Sequence, residues 1–287
     1  MEKIAELLKN SEFRFNKALG QNFIFDNNLL DAIVSDSGAG ADDTVVEIGT
    51  GAGTLTSRLA LRAKKVFSFE VDKNLQDILS LSLQGCENVE VVFRDVLKMK
   101  DDEFTRIVGE GPFRVVANLP YYVTTPMIMR FIESPLPVST LTVMVQKEVA
   151  DRLVAECGSA EYAAVTLAVK MFGDARVTRT VDRRMFRPAP NVDSAVVQIE
   201  RVPERLEGED TAFLKRVVRA AFAMRRKTLA NNLASSFGMN KAAAAEVVEE
   251  SGFPALVRGE TLSLDDFVTL SHALKNRLCL LYTSDAA

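Results

Sequence analysis

The stretch VVEIGTGAGTLT, residues 45–56, decides the fold. It starts as a short β-branched run, passes through three glycines and continues with apolar residues at helical spacing. Glycine lets the chain turn tightly after a strand and lets another group approach the backbone closely. Thr54 stands where a dinucleotide-binding loop has its third glycine, and no Gly-Lys-Ser/Thr of a phosphate-binding loop follows. The stretch therefore predicts the strand, turn and helix that open an α/β domain.

The same alternation of strand and helix continues along the chain. The further apolar runs are KVFSFEV (65–71), NVEVVF (88–93), FRVVAN (113–118) and LTVMVQ (141–146). Continuous apolar strands that alternate with helices indicate a mostly parallel sheet covered on both faces. Two later runs, 175–181 and 194–202, alternate like strands and predict a hairpin at the sheet edge. We expect a Rossmann-like domain with seven strands.

Each of the first four strands ends in a polar side chain. These are Glu47, Glu70, Asp95 and Asn118, at intervals of 23, 25 and 23 residues. In an open α/β sheet, ligands bind beyond the carboxyl ends of the strands. Polar residues also mark strand ends that have no function, but four of them in phase favour the floor of a single site.

Two of these carboxylates indicate what the site binds. Glu70 can accept hydrogen bonds from both hydroxyls of a ribose, and Asp95 can accept one from an adenine amino group. Because the glycine loop lacks a phosphate cradle, the pattern favours a nucleoside cofactor without pyrophosphate, and S-adenosylmethionine fits that description. An NAD-type site with a divergent loop is the alternative.

The stretch FRVVANLPYYVTTP, residues 113–126, follows a buried strand with an amide, a proline and two tyrosines. Asn118 offers a carbonyl acceptor, and the backbone carbonyl of Leu119 or Pro120 offers a second. The proline ring stiffens the turn. Two acceptors aimed at the hydrogens of an adenine amino group favour the pyramidal geometry in which its lone pair can attack a methyl sulfonium.

The tyrosines of this stretch complete a pocket for a planar amine. Tyr121 or Tyr122 can stack on a base, a contact worth about 1–3 kcal/mol in nucleic-acid sites. An ordinary turn with core tyrosines is the alternative. The single histidine, His272, has no triad around it in the sequence, and we expect it on the surface or in a helix contact.

Composition excludes several other classes of protein. Of 287 residues, 47% are hydrophobic and 26% charged, as in soluble globular proteins. The three cysteines are isolated, so neither a disulfide framework nor a zinc site is indicated. No apolar run approaches the ~20 residues that a membrane span needs, and the start of the chain lacks the apolar region of a signal peptide. We expect a cytoplasmic monomer without a metal or a membrane partner.

Two basic clusters stand out in a chain whose net charge is −4. The first comprises Arg176, Arg179, Arg183, Arg184 and Arg187, and the second Lys215, Arg216, Arg219, Arg225, Arg226, Lys227 and Lys241. Helical spacing predicts that Lys215, Arg219 and Arg226 share one helical side. Such clusters are often solvated faces, but two of them in an acidic protein favour a localised phosphate-binding surface.

Taken together, NLPYYVTTP and EIGTGAGTLT resemble the small-subunit ribosomal RNA adenine dimethyltransferase family. The resemblance continues through KALGQNFIFD (17–26), MVQKEVADRL (144–153), FRPAPNVDSAVV (186–197) and AAFAMRRKTLANNL (220–233). It implies a class I methyltransferase fold, S-adenosylmethionine as donor and a small helical C-terminal domain. Members of this family dimethylate N6 of two adjacent adenines in a hairpin near the 3′ end of small-subunit rRNA.

The resemblance also implies roles for particular residues. The implied cofactor-binding residues are Asn22, Ile24, Gly49, Gly51, Glu70, Asp95 and Asn118. The implied catalytic residues are Asn118, Leu119, Pro120 and Tyr121. The RNA-binding residues that we expect are Arg183, Arg184, Arg187, Lys215, Arg219, Arg225, Arg226 and Lys227. Thr50 departs from the family, which usually has proline there.

A change of composition after Pro203 predicts the domain boundary. We expect a methyltransferase domain over 1–203, including an N-terminal segment 1–37, and a helical RNA-binding domain over 204–278. The last nine residues, CLLYTSDAA (279–287), resemble the translation of a transposon end used in sequencing libraries, and we expect a non-native tail.

Two rival functions stay open at this point. One is a large-subunit rRNA adenine methyltransferase of the macrolide-resistance type, which shares the Asn-x-Pro-Tyr pocket. The other is a noncatalytic RNA-binding assembly or transcription factor on the same fold. FAMRRKTLANNL (222–233) favours the small-subunit family over the first rival, and intact Gly49, Glu70, Asp95 and Asn118 weigh against the second.

Overall fold

The chain folds as two units, of which one carries the sheet and the other is helical. The computed structural model describes Ile4 and residues 20–284, the last five by their backbone alone. Of the described residues, those up to Ala150 together with Asp174–Arg201 form the α/β unit, and Asp151–Gly173 with those from Val202 onward form the helical unit. The start of the motif at 17–26 and the tail residues 285–287 lie outside the described part.

The strands of the α/β unit confirm the predicted sheet. The strands are β1 Phe23–Ile24, β2 Thr44–Ile48, β3 Lys65–Glu70, β4 Val89–Phe93, β5 Phe113–Asn118, β6 Val138–Gln146, β7 Gly173–Val181, β8 Phe186–Arg187 and β9 Ser194–Arg201. Seven of them form one sheet in the order β4-β3-β2-β5-β6-β9-β7, and β1 pairs with β8. Strands β2 to β6 pair in parallel and β9 runs antiparallel to β6. As predicted, β9 and β7 are neighbours at one edge.

Helices alternate with the strands as the apolar spacing indicates. They are α1 Asn27–Asp36, α2 Thr54–Ala60, α3 Gln76–Ser82, α4 Asp101–Val108, α5 Thr124–Ile132, α6 Lys147–Leu153, α7 Ala164–Phe172, α8 Thr211–Ala221, α9 Leu229–Phe237, α10 Lys241–Glu250 and α11 Leu264–Ser284. Nowhere in residues 20–284 is a helix both long and apolar enough to cross a bilayer.

Both faces of the sheet are buried, which is why its strands read as continuous apolar runs. On one face, Phe69 and Phe113 of the sheet meet Phe104 of α4 and Phe131 of α5, with ring centroids 5.4–6.4 Å apart. On the other face, α1 and α2 pack over Val45, Val66 and Val116. Each fully buried side chain of this size stabilises the fold by about 1.5–3 kcal/mol.

The parallel register brings three strand ends to the same edge of the sheet. Ile48, at the end of β2, lies opposite Phe69 of β3 and Ala117 of β5. Glu70 and Asn118 end their strands at this edge. The strand end predicted at Asp95 differs. Strand β4 stops at Phe93, and Asp95 instead caps the short 3-10 helix Val96–Lys98.

The helical unit takes in one segment that the sequence assigned to the first domain. Residues 151–173 precede most of β7, but Leu167 and Met171 of α7 are buried in the same core as α8 to α11. The chain therefore passes between the units three times, and the predicted boundary at 203 is close to the last of these passages. The last helix extends to Ser284, so most of the predicted tail continues it.

Helix α8 has the predicted apolar face, with Leu214, Val217, Val218 and Ala221 buried. Asp210 caps its start by accepting a hydrogen bond from the Phe213 amide. The helix ends at Ala221, however. The prediction that Arg226 shares a helical side with Lys215 and Arg219 is therefore wrong, since Arg226 lies in the turn beyond the helix.

Candidate active site

A cavity of about 400 Å³ opens at the carboxyl ends of β2, β3 and β5. Its lining includes Asn22, Gly49, Gly51, Glu70, Asp95, Asn118, Leu119, Pro120 and Tyr121, all of them predicted site residues. Ile24 is the exception. Its side chain is buried, and it packs in the core with Leu30 and Ile33 instead of lining the cavity.

The glycine loop can take this path because glycine occupies two positions that have no room for a side chain. At Gly51, with φ +56°, an added Cβ would lie 2.9 Å from the ring of Phe23. At Gly53, with φ +79°, it would lie 2.8 Å from the Ser82 hydroxyl. Both φ values lie in the left-handed region that favours glycine. The loop is therefore held tightly between β1 and α3.

Glu70 ties the glycine loop to the end of β3. Its Oε2 accepts from the Gly51 amide at 2.8 Å, while Oε1 accepts from the amides of Val71 and Asp72 at 2.8 and 2.9 Å. Burial raises the pKa of this carboxyl, and these three hydrogen bonds oppose the shift. Each carboxylate oxygen can accept two hydrogen bonds, so Oε1 is filled and Oε2 keeps one position. Glu70 can therefore accept from one ribose hydroxyl, and not from both as the sequence predicted.

Glu47 lies beside the same loop, but not in the floor of the cavity as predicted. It is fully buried, and its Oε2 accepts from Thr56 at 2.6 Å and from Ser68 at 2.5 Å. Ser68 also bonds the hydroxyl of Thr50 at 2.7 Å. Burial raises the pKa of Glu47 to about 8. Glu47 therefore supports the loop from within the core and does not line the cavity.

The cavity wall at Asp95 is built by a helix cap. Asp95 Oδ1 accepts from the Leu97 amide at 3.1 Å, and Oδ2 lies 3.3 Å from the Lys98 ammonium. The capping turn places Asp95 in the lining next to Val96 and Leu97.

Residues 20–24, here called the crossing segment, connect the two sides of the cavity. Gln21 Nε2 donates to Asp72 Oδ2 at 2.8 Å, beyond the end of β3. The Asn22 carbonyl accepts from Asn118 Nδ2 at 3.0 Å, at the end of β5. Phe23 and Ile24 then pair with Arg187 and Phe186 of β8. The segment is thus anchored on both sides of the cavity.

The bond to Asn22 fixes which way the Asn118 amide faces. Because Nδ2 donates to the protein, Oδ1 is left as an acceptor with no donor among the described residues. The adjacent carbonyls differ. That of Pro120 accepts from the Val123 amide at 3.1 Å and the Thr124 hydroxyl at 3.3 Å, whereas no donor in the described chain reaches that of Leu119. Among the described residues, the two acceptors left without a donor here are therefore Asn118 Oδ1 and the Leu119 carbonyl.

Aromatic side chains line the cavity next to these acceptors. Tyr121 is half-buried and its hydroxyl lies 2.9 Å from Ser194 Oγ, while Tyr122 borders the cavity with 59% of its surface exposed. Phe23 and Phe186 are also in the lining. The sequence predicted a site role for neither phenylalanine, although QNF (21–23) and FRPAP (186–190) lie in motifs that carry the family resemblance.

The family profile described as "Ribosomal RNA adenine dimethylase" matches residues 12–269 of this sequence. The chain belongs to this family. Among its relatives, the ribosomal RNA small subunit methyltransferase A of Bacillus mycoides is 44% identical over 94% of both chains. That of Clostridioides difficile is 40% identical over 95% of both.

Solved structures agree with membership of the ribosomal RNA adenine dimethylase family. The structure of 23S rRNA methyltransferase ErmE superposes with a TM-score of 0.70 at 26% identity, covering 88% of this chain and 100% of that one. A dimethyladenosine transferase from Plasmodium falciparum gives a TM-score of 0.75 at 24% identity, covering 89% and 98%, and supports the fold. The fold is that of class I methyltransferases, as predicted.

In this adenine dimethylase, the first basic cluster carries less free charge than its arginines suggest. Arg179 forms a bidentate pair with Asp36 at 2.6 and 2.8 Å. Arg184 pairs with Asp182 in the same way, and Arg176 donates to Gln198. Arg183 and Arg187 are exposed, and neither guanidinium contacts a carboxylate in these interactions. That of Arg183 donates to the Asn191 carbonyl, and that of Arg187 lies over the ring of Phe25.

The second basic cluster lies on the helical unit. Arg225, Arg226 and Lys227 are exposed in the turn between α8 and α9, and Arg225 donates to the Ala160 carbonyl at 2.8 Å. Lys215 and Arg219 lie on α8, the first partly buried and the second exposed. Within the described part of the chain, no acidic side chain forms an ion pair with Arg225, Arg226 or Lys227, so the turn is locally positive.

Proposed function

We propose that this chain transfers methyl groups from S-adenosylmethionine to N6 of two adjacent adenines in a hairpin near the 3′ end of small-subunit rRNA. The observation that carries the proposal is the pair of free acceptors at the end of β5, Asn118 Oδ1 and the Leu119 carbonyl, beside a cavity that also contains Glu70. Two relatives named for the small subunit, 44% and 40% identical along nearly the whole chain, support the choice of RNA.

The cavity fits S-adenosylmethionine by its size and its donor and acceptor set. About 400 Å³ is within the range of small-molecule sites. Glu70 Oε2 keeps an acceptor position for a ribose hydroxyl, and Asp95 presents a carboxylate for an adenine amino group. Gly49 and Gly51 let the amino-acid end approach the backbone. When bound, S-adenosylmethionine supplies an electrophilic methyl group on a sulfonium.

Asn118 and Leu119 act on the target amine. The N6 lone pair of adenine is delocalised into the ring, so the amine is a weak nucleophile. Acceptance of its two N–H bonds by Asn118 Oδ1 and the Leu119 carbonyl favours a pyramidal nitrogen whose lone pair points at the methyl group. Positioning and fixed dipoles then supply most of the rate, and no strong base is required. Pro120 holds the turn in shape through its two accepted hydrogen bonds.

The base itself is held by aromatic side chains. Tyr121 stacks on the target adenine, and Phe186, in the same lining, limits the space available to the ring. The adenine must leave its stack to enter, which costs a few kcal/mol. Contacts of the RNA backbone offset this cost, and they come from exposed basic residues such as Arg183, Arg187, Arg226 and Lys227. The enzyme acts as a cytoplasmic monomer on the small subunit during its assembly.

A large-subunit target is the second candidate, since the chain also superposes on 23S rRNA methyltransferase ErmE. The test is transfer of labelled methyl groups to undermethylated small subunits, large subunits and duplex DNA. Label in small-subunit rRNA supports the proposal, and label confined to large subunits would establish the second candidate instead. A protein that binds cofactor and small subunits yet transfers no label would be an assembly factor.

A further inference from the structure

The hydroxyl of Tyr121 is held by Ser194, a buried side chain that does not line the cavity. Ser194 Oγ lies 2.9 Å from the Tyr121 hydroxyl. Ser194 is 0% exposed, whereas Tyr121 is only half-buried and borders the cavity. Burial raises the pKa of Tyr121, so this phenol stays protonated and retains its hydrogen bond throughout the neutral range.

The sheet gives Ser194 a fixed position relative to Asn118. Asn118 of β5 lies opposite Met144 of β6, and two residues later Gln146 of β6 lies opposite Ser194, the first residue of β9. Both residues are therefore anchored to the same central strand. Tyr121, by contrast, sits on a short 3-10 turn after β5, and the turn's own cap makes no side-chain hydrogen bond.

We propose that Ser194 is a positioning residue for methyl transfer: its buried hydroxyl fixes the ring of Tyr121 so that the stacked adenine presents N6 to Asn118 and Leu119. The inference rests on the proposed function. A tyrosine free to rotate about its side-chain bonds would still stack on the base, but its plane would no longer be set relative to the acceptors. Because Ser194 is fixed in the sheet, its hydrogen bond holds the Tyr121 ring, and therefore the stacked base, in one orientation.

A double-mutant cycle tests this role. Single-turnover methyl transfer to undermethylated small subunits, at saturating labelled S-adenosylmethionine, is measured for wild type, Ser194→Ala, Tyr121→Phe and the double variant. Each single variant should be slower by about three- to tenfold, the range expected for one hydrogen bond. The double variant should be no slower than either single variant, because both changes remove the same interaction.

Two further readouts separate positioning from a structural effect. Cofactor affinity and thermal midpoint should stay at wild-type values in Ser194→Ala. Ser139→Ala, which removes a serine hydroxyl bonded to the Phe113 carbonyl on the same sheet, serves as the matched control and should transfer at the wild-type rate. A wild-type rate for Ser194→Ala, additive losses in the double variant, or a loss that follows cofactor affinity would each overturn the inference. A wild type inactive on every rRNA would instead overturn the proposed function, and the inference with it.

Discussion

At the scale of single residues, the hydrogen-bond pattern decides which groups face the cavity, a question that the sequence leaves open. Leu119 and Pro120 offer equivalent carbonyls in the sequence, and they differ only because Val123 and Thr124 donate to Pro120. Glu47 was predicted in the cavity floor because it is one of four polar residues that end successive predicted strands in phase. Its direction depends on the register that places Ser68 opposite it, and a single sequence does not contain that register.

The buried Glu47 makes stability depend on pH. Its folded-state pKa of about 8 lies above the ordinary glutamate value of 4.5, so the folded state binds more protons than the unfolded chain between these values. Its contribution to the free energy of unfolding is fully present below pH 4.5 and is lost as pH rises through 8, by at most about 1.4 kcal/mol per pH unit.

Glu47→Gln keeps the shape of the side chain and removes this titration. Urea unfolding at pH 6 and pH 8 should show a larger loss of stability in wild type than in Glu47→Gln. All other titrating groups are shared by the two proteins, so their effects cancel in the comparison. Equal losses in both would show that Glu47 is ionised in the folded protein.

At the scale of elements, strands were predictable because burial on both faces leaves an uninterrupted apolar run. Helix ends were harder. Nothing in the sequence 222–226 breaks a helix as glycine or proline would, yet α8 stops at Ala221, and the predicted alignment of Arg226 with Lys215 failed for that reason. The crossing segment was visible only as a motif, since its anchors Asp72 and Asn118 are distant in the sequence.

The crossing segment should contribute to cofactor affinity through its bond to Asp72. Gln21→Ala removes the side chain that reaches Asp72, so we expect cofactor affinity to fall by about two- to tenfold with little change in thermal midpoint. Titration calorimetry with S-adenosylhomocysteine measures this directly. Gln76→Ala, at an exposed position at the start of α3, is the control. Unchanged affinity in Gln21→Ala would show that the segment borders the cavity without holding the ligand.

At the scale of the whole molecule, the chain is acidic overall and basic in places. The net charge of −4 does not show whether the chain binds RNA. The turn with Arg225, Arg226 and Lys227, however, places three positive charges on one loop of the helical unit. The two-unit division was predicted from composition, but the membership of residues 151–173 was not, because a linear reading assigns each stretch of sequence to one domain.

Arg226 and Lys227 should contribute to RNA affinity by binding phosphates. Replacing both by alanine should weaken binding to small subunits and lower the slope of log affinity against log salt by about 1 for each phosphate that is no longer bound. Cofactor affinity should not change. Arg106→Ala, which removes an exposed arginine paired with Asp102 on α4, is the control. An unchanged salt slope in the double variant would show that this turn is not part of the RNA-binding surface.

The most direct test of the central claim is the reaction product formed with and without the Asn118 amide. Wild type and Asn118→Ala are each incubated with S-adenosylmethionine and undermethylated small subunits, and the nucleosides of the rRNA are then analysed by mass spectrometry. Wild type should yield N6,N6-dimethyladenosine. Asn118→Ala also loses the bond to the Asn22 carbonyl, so it should bind cofactor more weakly, and at saturating cofactor it should still form the product at least about 100-fold more slowly. Dimethyladenosine formed at a comparable rate by Asn118→Ala would contradict the role assigned to the paired acceptors at the end of β5.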